Sequence, residues 1–354
     1  MKQPPAPFSC SHSPSFSQLL HDLGCTLAIT TYQAGKLIFI SATDPDKLVQ
    51  LPRSFEKPMG IAIRDNAMAI ATRHEVVMLR NANRMAKRYP KQPNTYDALY
   101  LPRATYYTGE LDIHDLHWSD DEVLAVNTRF SCLSVINDDF NFTPVWQPAF
   151  ITTLTPTDKC HLNGIAIDNG LAYASALAKS DTDNGWRPVK ATGGIIIDIR
   201  ANEIVTDGLP MPHSPRVYDG KLYVLLSATG ELAVVDRNSG KCEPVKRFQG
   251  FVRGMDRIGD YVFIGVSKLR KTSTTFGDLP IAKVSPICGI AALHLPTLSI
   301  VGHLQYVSSV EEIFDVKVLP GLRRPGILNH LKPDHRLAVT SPTDDYWAIN
   351  SPEA

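Results

Sequence analysis

The sequence contains no long apolar run and no excess of charge of either sign. No segment approaches the roughly 18 consecutive apolar residues that a helix needs to cross a bilayer. Lysine plus arginine equals aspartate plus glutamate at 36 each, so the sequence lacks the basic surface that attracts nucleic acid or anionic lipid. We therefore expect no nucleic acid and no membrane among the partners.

Other absences limit the cellular compartments and the classes of reaction that we expect for this protein. The six cysteines are scattered without a CxxC spacing, and the proline- and serine-rich start, Met1 to Ser17, lacks the apolar centre of a secretory signal. These features favour free thiols and a cytoplasmic location. The phosphate-binding patterns GxxxxGK[ST] and GxGxxG are missing, and so is the Gly-x-Ser-x-Gly of α/β-hydrolases.

What the sequence does contain is a repeated pattern of strands and turns. Short runs of Val, Ile, Leu, Tyr and Phe alternate with Asp-Gly, Asn-Gly and Gly-Asp turns, and helical periodicity is weak except from Phe16 to Leu23. The pattern predicts an all-β protein with one short N-terminal helix. Related units recur roughly every 40 to 60 residues, the size of a four-stranded propeller blade. Five units begin at Met59, Leu116, Asn163, Ser214 and Arg253.

A sixth unit is divided between the two ends of the chain. Residues 313–321 have the pattern of a first strand, whereas residues 26–32 and 36–40 have the pattern of later strands. Their pairing would close a ring and remove the exposed edges of an open sheet. We therefore predict a six-bladed β-propeller over residues 25–320, with five or seven blades as alternatives. Residues 1–24 would form a polar segment with the short helix, and residues 321–354 a C-terminal wrap or partly disordered tail.

Two inserts exceed the length of a blade. Residues 88–110 are polar and rich in tyrosine, and residues 178–192 lengthen a hairpin. Both inserts are predicted to be loops over one face of the propeller, where binding loops usually lie.

Three of the predicted first strands are entered by a histidine: His114, His161 and His213. First strands line the axis of a propeller, so the three imidazoles would converge, and together they could bind iron, copper or zinc. His117 follows His114 by three residues and should face the other way, although which of the two is the metal ligand stays open. The alternative is a polar, purely structural channel, because a single histidine at a strand entry is usually a packing residue.

Further polar residues fall at the same level of the predicted channel. Arg253 and Arg216 could each bind a carboxylate or phosphate in a bidentate way. Asp115 and Asn163 could orient a ligand histidine or a water molecule. We assign Arg253 a catalytic role, and Arg216, Asn163 and Asp115 roles in substrate binding.

Two glutamates and a cysteine complete the candidates. Glu311 and Glu312 lie at the entrance of the divided blade, where a carboxylate could complete the metal coordination or act as a base. Both are assigned as catalytic. Cys160 directly precedes His161, but neighbouring residues of a strand point to opposite faces, which argues against a Cys-His pair.

Five motifs in combination resemble a bacterial family of unknown function. They are Thr31-Tyr-Gln-Ala-Gly-Lys-Leu, Cys160-His-Leu-Asn-Gly, Pro212-His-Ser-Pro-Arg, Gly250-Phe-Val-Arg-Gly and Val266-Ser-Lys-Leu-Arg. The resemblance covers nearly the whole propeller part and implies no established reaction. In architecture the chain also resembles the six-bladed calcium-dependent lactonases and gluconolactonases. That resemblance implies calcium and lactone hydrolysis, but only Asn163 has a comparable context, since this channel presents histidines.

Three functions follow from these residues. The first is a metal-dependent enzyme acting on a small anionic or peptide substrate, with oxidative chemistry favoured over hydrolysis because neutral imidazoles leave a metal cationic and open to oxygen. The second is a non-catalytic scaffold that binds a peptide or protein partner on its loop face, through an aromatic patch around Tyr106, Tyr107 and Trp186. The third is a metal-independent hydrolase or lyase that uses Glu311 or Glu312 and an arginine.

Overall fold

The strands of the protein form six antiparallel sheets arranged as a ring. The computed structural model describes residues 5–269 and 276–348. Within these residues each sheet of the ring has at least four strands, and the first strands of neighbouring sheets contact one another all round the ring. A two-stranded hairpin near the C-terminus is separate from these six sheets. The structure confirms the prediction of a six-bladed β-propeller.

Blades 1 to 5 follow one another along the chain, and in each of them the first strand is innermost. The strands are, for blade 1, Ile61–Arg64, Ala67–Ala71, Glu75–Asn81 and Ala98–Tyr107; for blade 2, Ile113–Ser119, Glu122–Asn127, Cys132–Ile136 and Thr143–Trp146; for blade 3, Leu162–Ile167, Leu171–Ala176, Gly194–Asp198 and Glu203–Leu209; for blade 4, Pro212–Tyr218, Lys221–Leu226, Glu231–Val235 and Cys242–Arg247; for blade 5, Phe251–Ile258, Tyr261–Ser267, Gly289–His294 and Ser299–Tyr306.

Blade 6 joins the two ends of the chain. Its innermost strand, Asp315–Pro320, pairs with Cys25–Thr31, and Lys36–Asp44 and Lys47–Ser54 follow outward. The register places Thr30 opposite Asp315. The ring is therefore closed as the sequence predicts, by strands from both ends.

The terminal segments add to the outside of the ring. Helix Pro14–Leu23 begins at proline, which is favoured in a first turn, and it ends at Gly24, whose φ of 58° is the left-handed conformation that favours glycine. Strand Cys10–His12 extends the outer edge of blade 5, and strand Pro325–Ile327 runs parallel to the outer strand of blade 1. The remaining elements are helix Asn83–Ala86, the 3₁₀ helices Arg187–Val189, Pro280–Lys283 and Pro333–Leu337, and the hairpin strands Ala338–Thr340 and Asp345–Trp347.

The structure corrects one of the two predicted loops. Residues 98–107 are not a loop but the outer strand of blade 1, in which Leu99 and Leu101 are buried and Pro102 is tolerated because the strand is outermost. Residues 178–192 form the predicted connection between the second and third strands of blade 3. The predicted disorder at the extreme C-terminus lies outside the described residues. No helix in the described part of the chain is long and apolar enough to span a membrane.

Two glycines allow the innermost strands to approach closely around the axis. A Cβ on Gly60 would lie 2.8 Å from the Cα of Asp115, and one on Gly254 would lie 2.7 Å from the Cα of Asp315. Gly254 also has a φ of +72°, a conformation that is strained for residues with a side chain. Its neighbour Arg253 is thereby held at the centre of the ring.

Candidate functional site

A cavity of about 540 Å³ opens at one end of the central channel. Its wall includes two of the three predicted metal ligands, His114 and His161, together with Arg253, Glu311 and Glu312. His213 lies just beneath, where it contacts Arg253. The ring of blades therefore brings the predicted histidines and the predicted catalytic residues into one region.

A tight bend in the backbone orients the imidazole of His114. Asp112, two residues earlier, has a φ of 54°, and its carbonyl oxygen lies 2.9 Å from His114 Nδ1. Thr128 Oγ1 lies 2.9 Å from the same nitrogen and donates its own hydrogen to the carbonyl oxygen of Leu162. Because both neighbours accept, His114 carries its hydrogen on Nδ1 and keeps the lone pair on Nε2.

His213 repeats this arrangement two blades further round the ring. Met211 has a φ of 56°, and its carbonyl oxygen lies 3.1 Å from His213 Nδ1. Ser227 Oγ lies 2.8 Å from that nitrogen and donates to the carbonyl oxygen of Val252. His213 therefore also carries its hydrogen on Nδ1, and its Nε2 accepts a hydrogen bond from Arg253 Nη2 at 3.2 Å.

His161 is held by a carboxylate instead of a hydroxyl group. Its Nδ1 lies 2.8 Å from Asp158 Oδ2, and Trp186 Nε1 donates to the same oxygen, also at 2.8 Å. The indole packs against the imidazole with ring centroids 4.3 Å apart. Burial alone would raise the pKa of Asp158, but the electrostatic interaction and the hydrogen bond with His161 outweigh burial and lower it. The carboxylate of Asp158 therefore fixes the Nδ1 side of the His161 ring, and Nε2 lies on the opposite side of the ring.

Arg253 is a buried cation at the base of the cavity, with 7% of its surface exposed. Its guanidinium lies over the ring of Phe314, 4.4 Å from the centroid, and its Nη1 is 3.7 Å from Glu312 Oε1. Burial lowers the pKa of Arg253 and Glu312 opposes this effect. Its Nε hydrogen has no acceptor among the described residues. Such a group favours an anionic ligand.

Burial keeps His114 and His213, the two histidines that contact a hydroxyl group, neutral. It lowers the pKa of His114 to about 4; Asp112 opposes this effect and the positive charge of Arg253 adds to it. Burial also lowers the pKa of His213 well below its usual range, with a further contribution from Arg253. Both imidazoles are therefore neutral at physiological pH.

The three imidazoles are near one another without forming a ligand set. The rings of His114 and His161 have centroids 4.7 Å apart, whereas Nε2 of His213 faces Arg253. In the described part of the chain, no three or more His, Cys, Asp or Glu side chains are arranged to hold one metal ion. The metal site stays a prediction from the sequence.

Three residues predicted to bind substrate do not line this cavity. Arg216 Nη1 lies 3.2 Å from Asp115 Oδ2 below it, and Lys317 approaches the other carboxylate oxygen at 4.0 Å. Asn163 accepts a hydrogen bond from Ser175 at 2.6 Å. Arg216 and Asp115 are therefore paired with each other in the interior of the channel, whereas the amide nitrogen of the buried Asn163 has no hydrogen-bond partner among the described residues. His117 also lies outside the cavity, as the strand alternation predicts.

The residues that orient the histidines were not among the predicted site residues. Asp158 precedes His161 by three residues, a spacing visible in the sequence. Trp186 was predicted to belong to an exposed aromatic patch, which is wrong for this residue: its side chain is buried against His161. Thr128 and Ser227 each lie 14 residues after the histidine they contact. That shared spacing, with a hydroxyl residue at the end of the second strand, was the available signal.

Two solved structures are similar to the chain at low sequence identity. The chain is similar to a protein of unknown function from Bacteroides caccae, with a TM-score of 0.50 and 10% identity over 83% of this chain and 98% of that one. It is also similar to the Pan2 WD40 domain of Neurospora crassa, with a TM-score of 0.39 and 12% identity over 69% of this chain and 64% of that one. No curated protein matches the sequence.

A family model matches residues 14–328, which include every blade of the propeller. This agrees with the predicted membership of a family without an assigned reaction. The chain belongs to the family described as DUF4915, a domain of unknown function.

Proposed function

We propose that the cavity is the active site of a metal-independent hydrolase or lyase that acts on a small substrate carrying a carboxylate. The observation that carries the proposal is the His161–Asp158 pair in the same cavity wall as Arg253. A base with a fixed orientation and a cation for the substrate anion are the two groups that such reactions need.

His161 would act as the general acid and base. Its Nδ1 hydrogen is engaged by Asp158, so a proton taken from the substrate or from water would go to Nε2. The carboxylate of Asp158 would then stabilise the imidazolium that forms, and Trp186 would hold the carboxylate in place. Asp158 and Trp186 are positioning residues in this proposal.

Arg253 would bind the carboxylate of the substrate. It is rigidly placed because His213 accepts one of its hydrogens and Phe314 supports its plane. Glu312 lies near its other terminal nitrogen, so the role we propose for this glutamate is to orient Arg253, and not to act as the base. The predicted catalytic role of Glu311 stays open, although this residue lines the cavity.

The test combines binding with turnover. Small carboxylates that bear ester, lactone, amide or β-hydroxyl groups are screened for binding by calorimetry and for conversion by mass spectrometry. Lactones are included because the distant lactonase resemblance implies them. We expect Arg253→Lys to weaken binding roughly tenfold, because one ammonium replaces a bidentate fork. We expect His161→Gln to lower turnover by about 100-fold or more with little change in binding.

Matched controls separate these effects from misfolding. Arg247→Met removes a cation outside the cavity, where Arg247 is exposed near Glu231, and should leave binding and turnover unchanged. Undiminished turnover in His161→Gln, or loss of turnover after treatment with a chelator, would contradict the proposal.

One observation favours the predicted metal-dependent enzyme as a second candidate. All three histidines direct Nδ1 to an acceptor, which is the arrangement that orients histidine ligands in metal sites. Elemental analysis of the purified protein and of the three His→Ala variants distinguishes the two. Stoichiometric iron, copper or zinc that the variants lose would support the metal enzyme. Metal content far below one atom per chain, with turnover retained, would support the first proposal.

A further inference from the structure

A second groove lies on the outer side of the ring, between blades 1 and 2. It has a volume of about 680 Å³ and is formed by residues 104–107 of the outer strand of blade 1 and by residues 137–142, which connect two strands of blade 2. None of these residues belongs to the cavity described above. The groove is therefore a separate feature of the surface.

The groove is lined by unusually exposed aromatic side chains. Tyr107 is 73% exposed and Phe140 is 71% exposed, the two highest values among the large apolar residues of the described chain. Phe142 stands beside them, supported by Phe130 at a centroid distance of 4.6 Å. Exposed aromatic residues concentrated in one groove are typical of a recognition surface.

The charged residues that line the groove are all acidic. Asp138 and Asp139 are exposed in its wall, and neither lysine nor arginine lines it. Burial and, after it, the neighbouring Asp138 raise the pKa of the Tyr106 hydroxyl group, and Asn141 Nδ2 donates to the backbone oxygen of Tyr107 at 2.6 Å. Carboxylates next to exposed aromatic faces favour lysine or arginine side chains, through charge attraction and cation–π contacts.

The same wall offers a strand edge. Strand Pro325–Ile327 pairs with residues 98–100 of the outer strand of blade 1. Beyond that point, residues 101–107 have no strand on their outer edge in the described part of the chain. An extended peptide can add to such an edge through backbone hydrogen bonds.

We infer that this groove binds an extended, basic segment of a partner protein. The strand edge supplies backbone hydrogen bonds, Tyr107 and Phe140 contact alternate side chains, and Asp138 and Asp139 select for lysine or arginine. The inference does not depend on the proposed reaction, because the two sites share no residue.

The test uses a fluorescein-labelled peptide of alternating lysine and valine, with binding to the full-length protein followed by fluorescence anisotropy. A peptide of alternating glutamate and valine is the charge control, and a lysine peptide with N-methylated backbone is the edge control. We expect saturable binding of the first peptide only, with affinity that falls as salt is added. The double variants Tyr107→Ala with Phe140→Ala, and Asp138→Asn with Asp139→Asn, should each weaken it roughly fivefold.

Tyr346→Ala is the matched control, since Tyr346 is 59% exposed and lies outside the groove. It should bind the peptide as the wild type does, and thermal melting should show every variant folded. Equal binding of the glutamate peptide, or full affinity in the two double variants, would overturn the inference. A concentration-dependent dimer that is lost in Tyr107→Ala with Phe140→Ala would also overturn it, because the occupant would then be a second copy of the chain.

Discussion

The imidazole of His114 meets that of His161 edge to face, with centroids 4.7 Å apart and planes at 80°. The two histidines come from the entries of neighbouring blades, so this contact exists only because the ring places their first strands side by side. A positive charge on one ring opposes protonation of the other. Protonation of His114 is therefore opposed both by burial and by its neighbour across the ring contact.

The first prediction concerns stability against pH. The pKa of His114 falls from 6.5 to about 4 on folding, chiefly through burial. Between these values the unfolded chain binds a proton that the folded chain does not, so the free energy of unfolding is highest above the upper value and decreases as the pH falls. The slope per histidine is about 1.4 kcal/mol per pH unit. His213 and His117, whose pKa values burial also lowers, add to it with the same sign.

Urea denaturation between pH 7 and about pH 4.5 measures this slope. His114→Gln should reduce it by about one proton, whereas His303→Gln, at an exposed position of the outer strand of blade 5, should not change it. An unchanged slope in His114→Gln would show that this histidine is not kept neutral by the fold.

The second prediction concerns the hydroxyl group that orients His114. Thr128→Val keeps the shape of the side chain but removes both the donor to Leu162 and the acceptor for His114. We expect the free energy of unfolding to fall by about 1–3 kcal/mol, because buried polar groups lose their partners. Thr297→Val is the matched control: Thr297 also contacts a histidine, His294, but at an exposed position, and its replacement should cost less than about 0.5 kcal/mol.

The third prediction concerns the buried charges beneath the cavity. Arg216→Met leaves Asp115 with only Lys317, at 4.0 Å, as a cationic neighbour. We expect a loss of about 3 kcal/mol in the free energy of unfolding, because the carboxylate stays buried. The double variant with Asp115→Leu should recover part of the loss. Lys91→Met, which breaks an exposed pair with Asp334, should cost less than about 1 kcal/mol, and an equal cost in both places would contradict the prediction.

The fourth prediction concerns Cys160, the neighbour of His161. Burial raises the pKa of the Cys160 thiol to about 12, so little thiolate forms at neutral pH. Alkylation of the folded protein, followed by mass spectrometry, should label the partly exposed Cys10 and Cys242 before Cys160. Cys160→Ala should retain any turnover that the substrate screen detects. Rapid labelling of Cys160 in the folded state would contradict this prediction and would support a role for Cys160 as a nucleophile.

The sequence was sufficient for the architecture because blades are local units. Each first strand, turn and second strand is adjacent in the chain, so the alternation of apolar residues and the Asp-Gly turns reveal it directly. The divided blade was also predictable, since a first strand at Asp315 lacked a partner and the strand at Cys25 lacked a neighbour. The outer strand of blade 1 was missed because residues 98–107 contain a proline and an arginine, which only an outermost strand tolerates.

The site was predictable only in part. The sequence was enough to identify His114, His161 and His213, because they occupy equivalent positions of the repeat. In a propeller, equivalent positions of successive blades face the same axis. The sequence could not decide what each imidazole faces: Arg253 at His213, Asp158 at His161 and a hydroxyl group at His114. Several of these partners lie on other blades or loops. Their distances depend on how the blades pack and on the left-handed turns before the strands, so the tertiary structure alone decided which partner each ring nitrogen has.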